Sequence, residues 1–381
     1  MNRPHFRLIT NILGTLLTCA LTFLGSTPSW ATNGNEMRPL VVDIDAHTDP
    51  SDECPDMMQN RVDVSAEPDD ETDDETNALS TITLTDKELI KAIGQAMMQN
   101  STPNRAVVIS GAYIKGNVNL SQAGMGARAM SCNTVTVNAE LVFIGCVFEG
   151  DLRTWSQSKT GGTLVGTHFS EPVSFVNCTF LGQVDMRQST FDQLLTMTGC
   201  NIKGATQMGA STYRAGVLMT RSTCAGSASF DAARFGPQTN FVRTHFEQSV
   251  IWQNAWFEGH ILMADMKTAG YADLSHVTAM GNVNMSNSYW GGRVECRNAY
   301  FAQELRLAGA TFGNMLTVES VNFGGLVDLN GAHIDGRTEL TNCTFGHAPM
   351  INNMTKGAKA TVEATGCSVT KREPLTFKAN K

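Results

Sequence analysis

From Phe169 to Phe345 one position in every eleven is reserved for a bulky apolar side chain. The series reads Phe169, Phe180, Phe191, Ile202, Tyr213, Cys224, Phe235, Phe246, Phe257, Thr268, Ala279, Trp290, Phe301, Phe312, Phe323, Ile334 and Phe345, with Thr268 and Ala279 its weak members. A second series follows six residues behind, from Phe175, Met186 and Met197 through Phe230, Phe241 and Trp252 to Leu329 and Leu340, and holds no charge. Two registers kept free of charge and insertion over this distance mark a repeat, and a repeat of this length dictates the architecture.

The local pattern is that of short strands. Two residues before each member of the first series stands a small residue, such as Cys178, Ser189, Cys200, Ala233 or Ala299. Two residues before the second series stands an aliphatic one, such as Val173, Val184, Leu195, Val250 or Leu305. Side chains two apart share a face of a strand, so both positions point inward and the polar residue between them points out. One unit is thus two extended segments joined by turns. It cannot enclose a core alone, so units must stack. Two units make a four-sided coil of 22 residues, and coils should follow at about 4.8 Å. Sorted at 22, one ladder reads Phe169, Phe191, Tyr213, Phe235, Phe257, Ala279, Phe301, Phe323, Phe345, a nearly continuous aromatic stack.

Triplets such as Ala233-Arg234-Phe235, Ala299-Tyr300-Phe301 and Ala310-Thr311-Phe312 resemble the small-x-Phe/Leu centre of pentapeptide-repeat proteins, and the five-plus-six spacing resembles that family's longer-period variants. The resemblance covers roughly 107–345 and implies an all-β fold, a right-handed quadrilateral parallel β-helix. Asp or Asn rarely occupies the triplet centre, a departure from the family. The early part is looser: Ile109–Ile114 and Val142–Phe148 look like coils, but Phe148 and Phe169 lie 21 apart, so Trp155–Gly166 is expected to bulge out.

Ahead of the repeat, Thr85 and Glu88 form a capping box and Leu84 can staple against Leu89. A capping α-helix is expected from Asp86 to about Gln99, with Leu89, Ile90, Ile93, Ala96 and Met97 on one face. The N-terminus reads as an export signal: Arg3 and Arg7, an apolar stretch from Leu8 to Leu24, then small residues around a cleavage site after Ala31. An uncleaved anchor and a lipoprotein through Cys19 are weaker readings of the same segment. Between signal and helix, the acidic stretch Asp43–Glu75 has too little apolar surface to offset its ordering entropy. Calcium binding there would need spaced ligands and a turn glycine that it lacks.

The expected organisation is a signal peptide over 1–31, an acidic disordered tether over 32–80, a capping-helix region over 81–104, the repeat over 105–345, and a C-terminal cap or tail over 346–381. Charge divides the same way. Residues 1–104 hold 6 Lys+Arg against 17 Asp+Glu, a balance of −11, whereas residues 105–381 hold 22 against 19, a balance of +3.

Chemical candidates are few. Of ten cysteines, nine remain after cleavage. Cys146, Cys178, Cys200 and Cys343 take small inward positions, and Cys224 and Cys296 large ones, where Cys behaves as a small hydrophobe. Cys178 and Cys200 should stack on neighbouring coils, but a spacing of about 4.8 Å exceeds the usual Cβ separation of about 3.8 Å in a disulfide. Cys54, Cys132 and Cys367 fall outside the register and are freer to pair. His168, His245 and His333 precede core residues and do not cluster at metal-ligand spacing. No nucleophile elbow or phosphate loop occurs, so no catalytic, metal or cofactor site is expected.

One outward ladder, Thr212, Arg234, Trp256, Thr278, Tyr300, puts a cation beside an indole and a tyrosine two coils on. Arg234, Trp256 and Tyr300 are the candidate partner-binding residues, set against ordinary surface decoration, since Trp, Tyr and Arg dominate binding hot spots. The reading that follows is an exported non-enzymatic binding or scaffold rod, periplasmic or secreted. Its partner is a protein or an envelope component, with no nucleic acid expected. A cleaved signal leaves no integral membrane span, and an end-to-end homodimer is allowed. The alternatives are an exported polysaccharide-active enzyme with the Trp155–Gly166 excursion as cleft builder, and a DNA mimic that binds topoisomerases, as the resemblance suggests. Export and the +3 balance both count against the mimic.

Overall fold

A computed structural model describes residues 82–98, 106–124, 134–157 and 164–370. The signal segment, the acidic stretch, Cys19, Cys54 and Cys132 lie outside the described residues. The described chain belongs to one compact unit spanning Thr76–Lys381.

The chain winds as a four-sided parallel β-solenoid. Each coil contributes one short strand to each of four sheets, which hold 12, 12, 10 and 11 strands. The first coil shows the order of the sides. Ala106–Ser110 lies on the first side, Tyr113–Lys115 on the second, Val118–Asn119 on the third and Thr134–Val137 on the fourth. The second apolar series lines sides one and three, and the first series lines sides two and four.

The 22-residue register holds residue for residue. Phe169 faces Phe191, Phe191 faces Tyr213, Tyr213 faces Phe235, Phe235 faces Phe257, and the ladder continues through Ala279, Phe301 and Phe323 to Phe345. The rings stack nearly parallel, with centroids 4.7 Å apart for Phe169 and Phe191 and 4.8 Å for Phe235 and Phe257. Ala279 interrupts the stack. The small inward positions Cys178, Ser189, Cys200, Ser211, Ser222, Ala233 and Ala255 are all buried, because a small side chain there lets the large ring two positions on fill the narrow centre.

Two insertions reset the early register. Val107 faces Leu141, 34 positions on, with the twelve extra residues falling between Val118 on side three and Val137 on side four. Phe148 faces Phe180, 32 positions on, and Phe169 faces Val137. Phe148 therefore belongs to the second side, not to the ladder of Phe169, and the 21-residue spacing between them compares two different sheets. The extra length is a hairpin in which Trp155–Gln157 pairs antiparallel with Leu164–Gly166.

At the other end the ladders run on past Phe345. Thr355–Lys356 continues side two, Thr361–Thr365 side three, and Ser368–Val369 side four, so another coil occupies part of the segment expected as cap or tail. That coil takes a longer step: Thr344 faces Ser368, 24 positions on. The two added residues bring Cys367 into line with Cys343, although the sequence register left it unpaired.

One backbone device recurs at every unit from Asn177 to Asn353. Asn177, Gln188, Gly199, Ala210, Arg221, Ala232, Arg243, Asn254, Asp265, His276, Asn287, Asn298, Gly309, Ser320, Gly331, Asn342 and Asn353 all have φ between 52° and 68°. They are spaced by eleven and sit three residues before the first series. A left-handed residue turns the chain through the corner while leaving its N–H free to bond the next coil, as Ala232 does to the Gln253 carbonyl at 2.8 Å.

The helix Asp86–Met98 buries Leu89, Ile93 and Met97 against the first coil, with Leu84, Ile90 and Ala96 partly buried beside them. Its capping box is formed in both directions. The Thr85 backbone N–H donates to Glu88 Oε2 at 2.9 Å, and the Glu88 N–H donates to Thr85 Oγ1 at 3.2 Å. These bonds, the Thr85 N–H first, hold the Glu88 carboxyl below its ordinary range. Thr85→Ala should lower stability by about 1 kcal/mol in urea unfolding at pH 7. A carboxylate with a depressed pKa stabilises above its unfolded pKa and loses that contribution as pH falls through the folded value. The gap between wild type and Thr85→Ala should therefore narrow on acidification, once Glu88 protonates.

Candidate functional site

The outward column of side four runs His168, Thr190, Thr212, Arg234, Trp256, Thr278, Tyr300, Asn322 and Thr344, each paired to the next across neighbouring coils. Alternation along two-residue strands aims these side chains away from the aromatic stack. Arg234 is exposed, and Trp256 and Tyr300 keep 42% and 39% of their surface in solvent. Two exposed aromatic residues and an arginine share this column, and Trp, Tyr and Arg are the residue types that dominate binding hot spots, so the three mark the face to consider for binding.

Arg234 and Trp256 border an open depression of about 760 Å³, which also draws in Arg214, Glu258 and Met280. The cause lies in the adjoining column, which reads Asp192, Arg214, Gly236, Glu258 and Met280 at the 22-residue step. Gly236 has no side chain between Arg214 and Glu258, and an added Cβ would strike the Arg214 carbonyl oxygen at 1.8 Å. The missing side chain is what opens the surface beside Trp256. Met280 is 40% exposed and adds an apolar wall.

Of the three expected residues, then, the structure brings Arg234 and Trp256 together and leaves Tyr300 two coils away on the same column. Arg214, Glu258 and Met280 are additions. They occupy the position just after the first series, and which outward columns converge depends on the corner between two sides. The charges are mixed. Arg214 is held by Asp192 at 2.8 Å, and Asp192 also meets His168 Nε2 at 2.7 Å.

Among the described residues, guanidinium groups stack on Trp155, not on Trp256. Arg153 and Arg187 lie 5.8 and 5.5 Å from the Trp155 ring. This is the foot of the hairpin. Arg187 grips the fully buried Asp185 through two bonds, Nε to Oδ1 at 2.9 Å and Nη2 to Oδ2 at 2.7 Å. Burial pushes the Asp185 carboxyl up, but the bonds from Arg187 and its positive charge outweigh it and leave it below its ordinary range. Asp151 is bound by Arg153 at 2.9 Å. Both carboxylates near the excursion are thus tied to arginines, an arrangement that fastens the hairpin and suits a general acid poorly.

Two of the three outward histidines, His168 and His333, have local partners as well. His333 bonds Asp335 at 2.9 Å and Thr355 Oγ1 at 2.7 Å. Among the described residues no group of three or more His, Cys, Asp or Glu side chains converges as a metal site would require, and no helix is long and apolar enough to cross a membrane.

Comparison with known proteins agrees with the geometry. The family model described as pentapeptide repeats (9 copies) matches residues 164–212, the stretch where the regular 22-residue coils begin. No curated protein matches the chain, and no solved structure does. With small inward residues two positions ahead of the stacked rings on sides two and four, and with the family's repeat matched where that pattern starts, residues 164–212 carry the repeats of the pentapeptide-repeat family, and the coils that follow continue their pattern.

Proposed function

We propose that this protein is an exported, non-enzymatic binding rod that holds a protein or cell-envelope partner against its fourth side, at the surface formed by Arg234 and Trp256 with Tyr300 further along the column. The observation that carries this reading is the exposed indole of Trp256, beside an opening that Gly236 creates and that Arg214, Glu258 and Met280 frame. A rigid aromatic residue flanked by cations and a carboxylate suits a partner surface with one apolar protrusion and a polar rim. Export rests on the basic n-region, apolar stretch and small-residue cleavage site of residues 1–31.

The polysaccharide-enzyme alternative has no comparable support, since Asp151 and Asp185 are both engaged by arginines. The DNA-mimic alternative calls for an unbroken acidic stripe. On side three, where carboxylates are densest, they alternate with arginines instead: Arg297 pairs with Glu319 at 2.5 Å and Arg337 with Glu339 at 2.7 Å.

The test is capture of partners from the envelope fraction by immobilised protein, comparing wild type with Trp256→Ala and, as a control on side two, Tyr289→Ala. Trp256→Ala should change stability by less than about 0.5 kcal/mol and weaken capture at least tenfold, the loss of a residue worth about 2 kcal/mol at a hot spot. Capture that survives Trp256→Ala but not Tyr289→Ala would move the partner to the other face and end this reading of side four.

A further inference from the structure

We propose that Cys343 and Cys367 are a disulfide-forming pair that latches the last described coil to the rod when the protein meets a disulfide oxidant. The register across the final ladder matches Thr344 to Ser368 and Phe345 to Val369. The residues immediately before them, Cys343 and Cys367, therefore face each other on neighbouring coils. Neighbouring strands lie about 4.8 Å apart, inside the window of about 4.4–6.8 Å that disulfides span between Cα atoms. Both thiols use the same inward column, which Ala233, Ala255, Val277, Ala299 and Val321 fill in earlier coils. Cys343 is buried, its thiol directed at the carbonyls of Val318 and Thr341, each 3.5 Å away. Cys367 is only half-buried, and its thiol lies 3.7 Å from the Thr365 carbonyl. Burial, together with the neighbouring Cys367, pushes the Cys343 thiol up to about 11, in keeping with a shielded group that reacts second.

Cys146, Cys178 and Cys200 stack in the same manner on side two, yet they differ in two respects. All three are buried, which denies them to an oxidant. They also sit in coils clamped above and below. A disulfide needs its Cβ atoms at about 3.5–4.5 Å, a few tenths of an ångström closer than an in-register ladder holds them. An interior coil cannot close that gap without displacing the rings stacked on both sides. The coil carrying Cys367 can, because among the described residues Thr361–Thr365 and Ser368–Val369 are the last strands of their sheets and have a neighbour on one side only.

The reaction is ordinary thiol–disulfide exchange. The half-buried Cys367 thiol loses its proton and attacks one sulfur of a small-molecule disulfide. That S–S bond breaks, and the departing thiolate takes up the proton. The Cys343 thiol then loses its proton and attacks Cys367 Sγ, expelling the second half of the oxidant as a thiol. Two protein thiols are oxidised by two electrons, and one oxidant disulfide is reduced to two thiols. The latch is independent of the partner surface on side four.

The test uses the full chain incubated with excess oxidised glutathione, then alkylated and mapped by mass spectrometry. The expected result is two fewer alkylated thiols, a cross-linked peptide pair joining Cys343 to Cys367, and proteolysis between 346 and 366 slowed about tenfold, all reversed by dithiothreitol. Cys367→Ser should abolish all three effects. Cys343→Ala should do the same and fold normally, since alanine already fills this inward position in three earlier coils. The proposal is overturned if both thiols remain alkylatable, if glutathione stays on Cys367 unresolved, or if Cys367 links instead to Cys54, Cys132 or a second chain.

Discussion

Trp252→Ala is expected to cost about 3–5 kcal/mol, the largest loss from any single side-chain truncation in the rod. Trp252 is completely buried and is the hub of an aromatic cluster, with ring centroids 5.7 Å from Phe230, 5.7 Å from Phe246, 6.3 Å from Phe241 and 6.4 Å from Trp290. Coils above and below are tied to this one by backbone bonds, such as Trp252 N–H to the Asp273 carbonyl at 2.8 Å, so they cannot collapse into the space that truncation leaves. Trp252→Phe should behave differently. The indole Nε1 has no hydrogen-bond partner, so the smaller ring forfeits volume but no polar contact, at a cost of less than about 1.5 kcal/mol. Urea unfolding followed by far-UV circular dichroism measures both. A Trp252→Ala penalty below about 1 kcal/mol would mean that the centre of the rod repacks freely, against the density expected of a protein interior.

The second large effect is in the backbone. Ala232 is exposed, has φ of 54°, and donates its N–H to Gln253. Ala232→Pro demands φ near −65° and removes that donor, and it should cost more than about 3 kcal/mol although no buried atom changes. Ala232→Asn keeps the N–H and tolerates the left-handed region, so it should stabilise by a few tenths of a kcal/mol. Ala232→Gly should come out near neutral, because relief of about 1–2 kcal/mol at the corner is offset by the extra freedom of the unfolded chain. Thermal unfolding of the three variants ranks them. Equal behaviour of the proline and asparagine variants would show that the corner is not held in the left-handed conformation.

The corner register also shows how far reading the residues could go. Nine of its seventeen positions, such as Asn177, Gly199, Asn254 and Gly331, carry Asn or Gly and were visible at an eleven-residue spacing. The signal was blurred by Gln188, Arg221, Arg243, Asp265 and His276, which take the same conformation because the hydrogen-bonded coils on either side impose it. Inward positions were easier. A buried ladder rejects charge at every step, whereas an exposed corner accepts any side chain and leaves a weaker imprint.

For the candidate site the division was similar. The pairing of Arg234 with Trp256 followed from the period alone, since in-register stacking places like positions on like. The addition of Arg214, Glu258 and Met280 did not, because adjoining columns meet only through the angle of the turn and the gap at Gly236.

By itself, then, the amino-acid order determined the repeat length, the four-sided coil, the aromatic ladder and the capped helix that precedes it. Each is a short-range pattern multiplied by stacking, and stacking makes a local preference into a global one. The sequence also marked the Trp155–Gly166 excursion, which the structure forms as a hairpin, but the tertiary structure alone decided the partners of Phe148 and Cys367. An inserted residue shifts the spacing without saying which strand it moves, and only the hydrogen bonds between coils reveal which strand it pushed on to a new neighbour.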